Sequence, residues 1–153
     1  MKIFVMLLIM IAQLYALNQN GLLVGEWQSV NQVNNKGTLT LEKEYLNLNA
    51  DNTFSILLLV SVQKGDAFVR DLQIKGSGIW KSHKDRLVYV IQKVDVPFAK
   101  EVYRISQASL RQLANHFKHR FDQQPIRIIK IGQMNKNQLT LINEEEKVTH
   151  YRR

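Results

Sequence analysis

Both tryptophans of the chain stand in one frame: Gly25-Glu26-Trp27-Gln28-Ser29, and again Gly78-Ile79-Trp80-Lys81-Ser82. Trp is the largest apolar body available to fill a core, and Gly lets a backbone or a ring come close. Around the second copy, Leu72, Ile74, Gly76, Gly78 and Trp80 alternate with Gln73, Lys75 and Ser77. The period is two, so this is a half-buried strand. Two glycines on its inward face predict strong coiling, as at the bend of a barrel.

The rest of the chain repeats the strand signal. The first strand is expected to run from Gly25 to about Asn31, with turn chemistry from Asn31 to Gly37. Leu39 and Leu41 point to one face, Leu46 and Leu48 to the other, which predicts a bulge across Glu42 to Tyr45. Sharing a face, Leu48 should lie opposite Phe54 and Leu46 opposite Ile56. That register leaves a three-residue loop, Ala50-Asp51-Asn52, ending on Asn52 in the left-handed region. Phe54 to Val62 is apolar on nearly both faces, so Leu57 and Leu59 need cover from outside. Lys64-Gly65-Asp66 and His83-Lys84-Asp85 are turns, and Pro97 interrupts the ladder before Phe98 to Ile105.

The period then changes. Leu110, Leu113, Ala114, Phe117 and Phe121 recur at helical spacing, predicting one helix from Gln107 to Phe121, capped by Ser106 or Ser109 and ended before Pro125. Leu110, Leu113 and Phe117 are expected to lie on the barrel's wall or mouth. Strands at Ile126 to Met134, Gln138 to Asn143 and Lys147 to Arg153 finish the chain. The sum is an all-β fold with one helix, an antiparallel up-and-down meander of eight to ten strands. Without β-α-β alternation a parallel sheet is not expected, and a sheet this long closes on itself.

Residues 1–16 are of another kind. Lys2 precedes the apolar run Ile3 to Ala12, and Ala16 offers a small residue for cleavage. This predicts a signal peptide, with residues 17–153 as the exported barrel domain, periplasmic or secreted. The run is short against the about 20 residues of a membrane span. An uncleaved anchor or a core helix is the rival reading. The whole chain carries +8, from 21 basic and 13 acidic residues. Without Lys2 the balance is 20 against 13, or +7. An exported basic chain meets anionic lipid, glycan or acidic partners rather than nucleic acid. Cysteine is absent, so no disulfide staples the fold.

Three short motifs carry a resemblance: Leu23-Val24-Gly25-Glu26-Trp27, Asn49-Ala50-Asp51-Asn52-Thr53-Phe54, and the end Tyr151-Arg152-Arg153. With the meander between them, the chain resembles the lipocalin-like (calycin) proteins, most of all the small bacterial lipocalin-like domains. It departs from them in Asn52, where Gly is usual, and in a helix placed before the last strands. The resemblance implies a barrel holding a small apolar or amphipathic molecule. Leu46, Leu48, Phe54, Ile56, Leu58, Leu72, Ile74, Tyr89 and Ile128 are expected to line its interior. Gly25, Trp27 and Arg152 form its structural motif, Arg152 lying over the Trp27 ring at one barrel end. The positive charge favours a guest with an anionic head. The alternative is a filled barrel, a structural or interaction protein of the envelope or secretome.

No nucleophile elbow, phosphate loop or zinc-protease helix is present, so the chain is not expected to be an enzyme. His116, His119 and Asp122 lie near one another on the helix, but with Arg111, Lys118 and Arg120 they read as a basic, solvated face. No metal site or cofactor is expected. That helix, Gln107–Phe121, is the candidate surface for an anionic membrane or an acidic partner. Tyr89 and Tyr103 are candidates to orient a ligand through their hydroxyls. The chain is expected to be a monomer.

Overall fold

The computed structural model describes residues 20–96 and 99–153. The leader and Pro97-Phe98 lie outside them, as does cleavage after Ala16. The elements are β1 (Gly25–Asn35), β2 (Thr38–Leu48), β3 (Thr53–Lys64), β4 (Ala67–His83), β5 (Arg86–Asp95), β6 (Glu101–Tyr103), α1 (Gln107–Asp122), β7 (Ile126–Met134), β8 (Gln138–Ile142) and β9 (Val148–Arg152). Consecutive strands pair antiparallel from β1 to β5 and from β7 to β9. The β5–β7 and β1–β9 pairs close the ring. The wall has eight strands, and short β6 lies on β4 at Phe68 to Arg70, beyond the stretch that β5 takes. The all-β meander with one main helix is as expected; residues 20–23 add a short helical turn before β1.

Local chemistry accounts for the ladder. At the β2–β3 hairpin Leu48 faces Phe54 and Leu46 faces Ile56, and Asn52 has φ 65°. Asp51 Oδ1 accepts from the Thr53 amide at 3.0 Å and from its hydroxyl at 2.6 Å, which holds the Asp51 carboxyl below its ordinary range. The β1–β2 turn differs from expectation. It is only Lys36-Gly37, both at positive φ, the pattern of a two-residue hairpin turn. Asn31 to Asn35 therefore continue β1. In β4, a Cβ on Gly78 would sit 1.9 Å from the Val90 carbonyl oxygen. The glycine lets β5 press in where the β4–β5 register shifts, between Ser77 and Gly78.

The interior has two apolar clusters. At one end Trp27, Leu46, Leu48, Phe54, Trp80, Leu87, Leu139 and Leu141 pack under Leu23. Trp27 Nε1 donates to the Leu23 carbonyl at 2.8 Å and Trp80 Nε1 to the Asn49 carbonyl at 3.0 Å. Both tryptophans therefore plug the same end with their single donors satisfied. At the other end Leu58, Val60, Val69, Leu72 and Ile74 meet Phe117 and Phe121 of α1. The helix is capped by Ser106, whose hydroxyl accepts from the Ser109 amide at 3.1 Å. It thus closes the mouth where β5 ends and β7 begins. Leu110 and Leu113 join that cluster partly buried, so the helix sits at the mouth rather than over Leu57 and Leu59.

Candidate functional site

Parity along β2 decides what the interior contains. Its pairing with β1 and β3 is unbroken from Thr38 to Leu48, so the bulge expected across Glu42 to Tyr45 is absent. Leu39 and Leu41 stay on the outer face. Glu42 and Glu44 share the inner face with Leu46 and Leu48. On the opposite wall Tyr89 pairs with Arg127 and Leu87 with Ile129, which turns Arg127 inward. Between the two apolar clusters lies a polar tier.

Tyr151 of β9 donates its hydroxyl to Glu44 Oε1 at 2.5 Å, across the barrel wall from β9 to β2. A phenol bonded to a carboxylate makes a short, charge-assisted bond. Burial raises the Glu44 carboxyl above its ordinary range; the Tyr151 bond and the charges of Arg127 and Arg120 oppose this without cancelling it. Burial, then the Glu44 charge, raises both Tyr89 and Tyr151. Burial also lowers Arg127, which remains a cation. Arg127 donates to the Arg120 carbonyl at the end of α1 and lies over the Phe121 ring at 5.1 Å. Arg120 in turn reaches both Glu42 carboxylate oxygens at 3.2 Å. The helix plug is therefore tied to the tier through two arginines.

The Tyr89 hydroxyl is the exception. Tyr89 is only 7% exposed, its ring packs on Phe54 at 5.1 Å, and its buried hydroxyl has no hydrogen-bond partner. An unpaired buried hydroxyl is costly, by about 1–3 kcal/mol. It faces the interior with a carboxyl and a guanidinium near enough to bear on its charge.

The expected lining divides accordingly. Leu46, Leu48, Phe54 and Tyr89 belong to the tryptophan-end cluster, and Leu58, Leu72 and Ile74 to the helix-end cluster. Ile56, half-buried, touches both. Ile128 is a correction: it is 45% exposed and faces outward, because β7 takes its phase from the Tyr89–Arg127 pair. Arg152 is a second correction. Tyr151 points inward, so Arg152 points out, and it is Arg153 whose guanidinium lies 4.2 Å from the Trp27 ring centroid. Arg153 also donates to the Leu22 and Val24 carbonyls at 2.8 and 2.5 Å. Gly25 makes room for it: φ is +129°, and a Cβ there would stand 3.1 Å from Arg153 Nη2. Tyr103 is no interior group; it is 48% exposed and stacks on Phe68.

Glu44 and Arg127 are the interior groups that sequence reading passed over. Their signal was parity carried without a slip through Glu42 and Glu44, and through Arg127, Ile129 and Ile131. On the outer face a groove of about 650 Å³ runs over Tyr45, Leu57 and Leu59, rimmed by Lys75, Lys93 and Asp95. Among the described residues no group of three His, Asp or Glu is placed to hold a metal, and no helix is long and apolar enough to cross a membrane. The chain is a closed antiparallel barrel with a helix in its mouth and a polar tier inside. Compared with models of known families and with curated proteins, it matches none.

Proposed function

We propose that this chain is an exported lipocalin-like binding protein that holds one small apolar or amphipathic molecule in its barrel. The observation that carries the reading is the Tyr89 hydroxyl, buried and unpartnered at the tier of Glu44, Tyr151 and Arg127. A barrel of eight strands has room inside for side chains alone or for side chains and one small guest. Apolar walls with a few convergent polar groups are what orients such a guest. Its polar end, an acid or a hydroxyl, would bond Tyr89 and face Arg127, while its apolar body lies along Ile56 and Leu58. The leader Met1 to Ala16 supports export. The exposed Arg111, His116 and His119 of α1 support contact with an anionic surface or an acidic partner.

A second reading, the filled barrel of a structural or interaction protein, is favoured by packing. Trp27, Leu48 and Leu87 are 0% exposed, and Phe117 and Phe121 stand in the mouth. Titration with a fluorescent fatty acid and a fluorescent fatty alcohol separates the two. Saturable binding in the micromolar range, weakened by Tyr89→Phe and abolished by Ile56→Trp, supports the carrier. No saturable binding of either probe favours the filled barrel.

A further inference from the structure

We propose that the groove on the outer face of β2, β3 and β4 is a binding site for a short, uncharged oligosaccharide. The groove is built by register. Glu26 of β1 lies opposite Asn47, Asn47 opposite Ser55, Ser55 opposite Ser77 and Ser77 opposite Lys93. Four strand spacings of about 4.8 Å make this outward row roughly 19 Å long from Glu26 to Lys93. Its middle holds only small polar side chains. The neighbouring outward row, Tyr45-Leu57-Lys75-Asp95, supplies the larger side chains of the wall, with Leu59 one step further along β3. The volume is about 650 Å³, within the about 300–1,000 Å³ of small-molecule sites.

The lining selects the ligand. Its two cations, Lys75 and Lys93, are matched by two acids, Glu26 and Asp95, and Lys93 is already paired to Asp95 at 3.1 Å. A lining that is neutral in sum attracts neither a polyanion nor a cation. An extended peptide needs a free strand edge, and the groove offers none, because β2 and β3 each pair on both sides along it. A wholly apolar guest would strip water from Asn47, Ser55 and Ser77 and leave them without partners.

A sugar meets what remains. Tyr45, Asn47, Ser55 and Ser77 have no side-chain hydrogen bond to another described residue, whereas nearby Asn49 donates to the Thr53 hydroxyl at 2.9 Å and Ser61 accepts from the Asp71 amide at 3.0 Å. A neutral sugar ring carries hydroxyls at its rim for the Asn and Ser side chains. Its C–H face suits the Tyr45 ring and Leu57, an apolar body beside a polar handle. The site lies outside the barrel, so it does not rest on the carrier reading.

Two-dimensional NMR of the purified protein, titrated with maltotriose, cellotriose and tri-N-acetylchitotriose, tests this, with trigalacturonate as the anionic control. At least one neutral trisaccharide should bind saturably in the millimolar range. It should move the methyl signals of Leu57 and Leu59 but not those of Leu46 and Leu72 inside. Tyr45→Ala should weaken binding about tenfold. Ser55→Trp, at an exposed position, should fill the groove and abolish it. Tyr89→Phe, which acts on the interior guest, should leave it unchanged, so the two sites stand or fall separately. No saturable shift with any neutral trisaccharide, shifts confined to interior methyls, trigalacturonate binding as tightly as the neutral sugars, or binding that survives Ser55→Trp would each overturn the proposal.

Discussion

Two tyrosines in one tier have opposite standing. Tyr151 satisfies Glu44 at 2.5 Å, while the Tyr89 hydroxyl is buried with nothing to bond. Tyr151→Phe leaves a half-buried carboxylate short of a donor and should cost about 1–3 kcal/mol. Tyr89→Phe removes an orphan at constant shape and should be neutral or stabilising by up to about 1 kcal/mol. Urea denaturation of both variants checks this, and equal losses would contradict the tier as described. Glu44 itself predicts a pH dependence. Its folded-state pKa is raised by burial, so its contribution is full below the unfolded value and is lost as pH rises through the folded one. Glu44→Gln should therefore gain on the wild type in melting temperature as pH rises from below the ordinary carboxylate range, and the gain should level off once the raised folded-state value is passed. If the gap narrows instead, the bonds to the carboxylate outweigh its desolvation. None of this was legible at the sequence level, because a bulge was expected where two glutamates broke the apolar pattern. The pleat runs on regardless, and one tyrosine with two arginines makes the inward glutamates tolerable.

Elements read more easily than the groups inside them. The β2–β3 hairpin is local: apolar parity fixes Leu48 opposite Phe54, and only a residue tolerant of positive φ can close the loop. The helix is local too, since its apolar spacing and the Ser106 cap lie within five turns of chain. β1 runs longer than its sequence suggests because Asn and Gln carry turn propensity, whereas a two-residue turn at Lys36-Gly37 lets them continue the strand. The seat of the helix was half legible: wall or mouth were both open, and Leu57 and Leu59 pointed to the wall. Phe121 explains the outcome: it packs in the mouth beside Gly76, 3.6 Å from the position of a Cβ there, while Ile56 Cγ2 at 2.7 Å takes the room the glycine leaves. Phe121→Ala should then cost about 3–5 kcal/mol, as a buried aromatic does. Leu113→Ala, only partly buried, should cost clearly less. A thermal or urea series on the two variants reads the difference, and a silent Phe121→Ala would make the helix a loose lid.

At the scale of the whole molecule, the barrel is strong along the chain and weak at its one distant seam. Every other wall pair joins successive strands or, for β5 and β7, strands separated by β6 and α1 that pair over five positions, whereas β1 and β9 share a single paired position, Gln28 with Arg152. Side chains compensate for the missing ladder. Arg153 covers Trp27 at 4.2 Å and bonds two carbonyls of the β1 approach, while Tyr151 ties β9 to Glu44 of β2. This closure could not be read beforehand to the residue: strand parity near a chain end decides whether Arg152 or Arg153 turns to the ring, and that parity is set by β8. Proteins open in parts, and the parts with fewest backbone bonds open first. Amide exchange should therefore separate the molecule into two groups. Amides of β3 and β4, paired over nearly their whole lengths, should exchange only with global unfolding. Those of β9 and the first residues of β1 should exchange through a smaller opening. Arg153→Ala removes the stacking and both carbonyl bonds, worth about 1–2 kcal/mol together, and should speed exchange at the seam about fivefold to thirtyfold while exchange within the β3–β4 ladder changes far less. Arg152→Ala, on the outer face, should do neither. If instead one rate governs all strands and Arg153→Ala shifts them equally, the seam opens only with the whole barrel, and its side chains have made up fully for the backbone bonds it lacks.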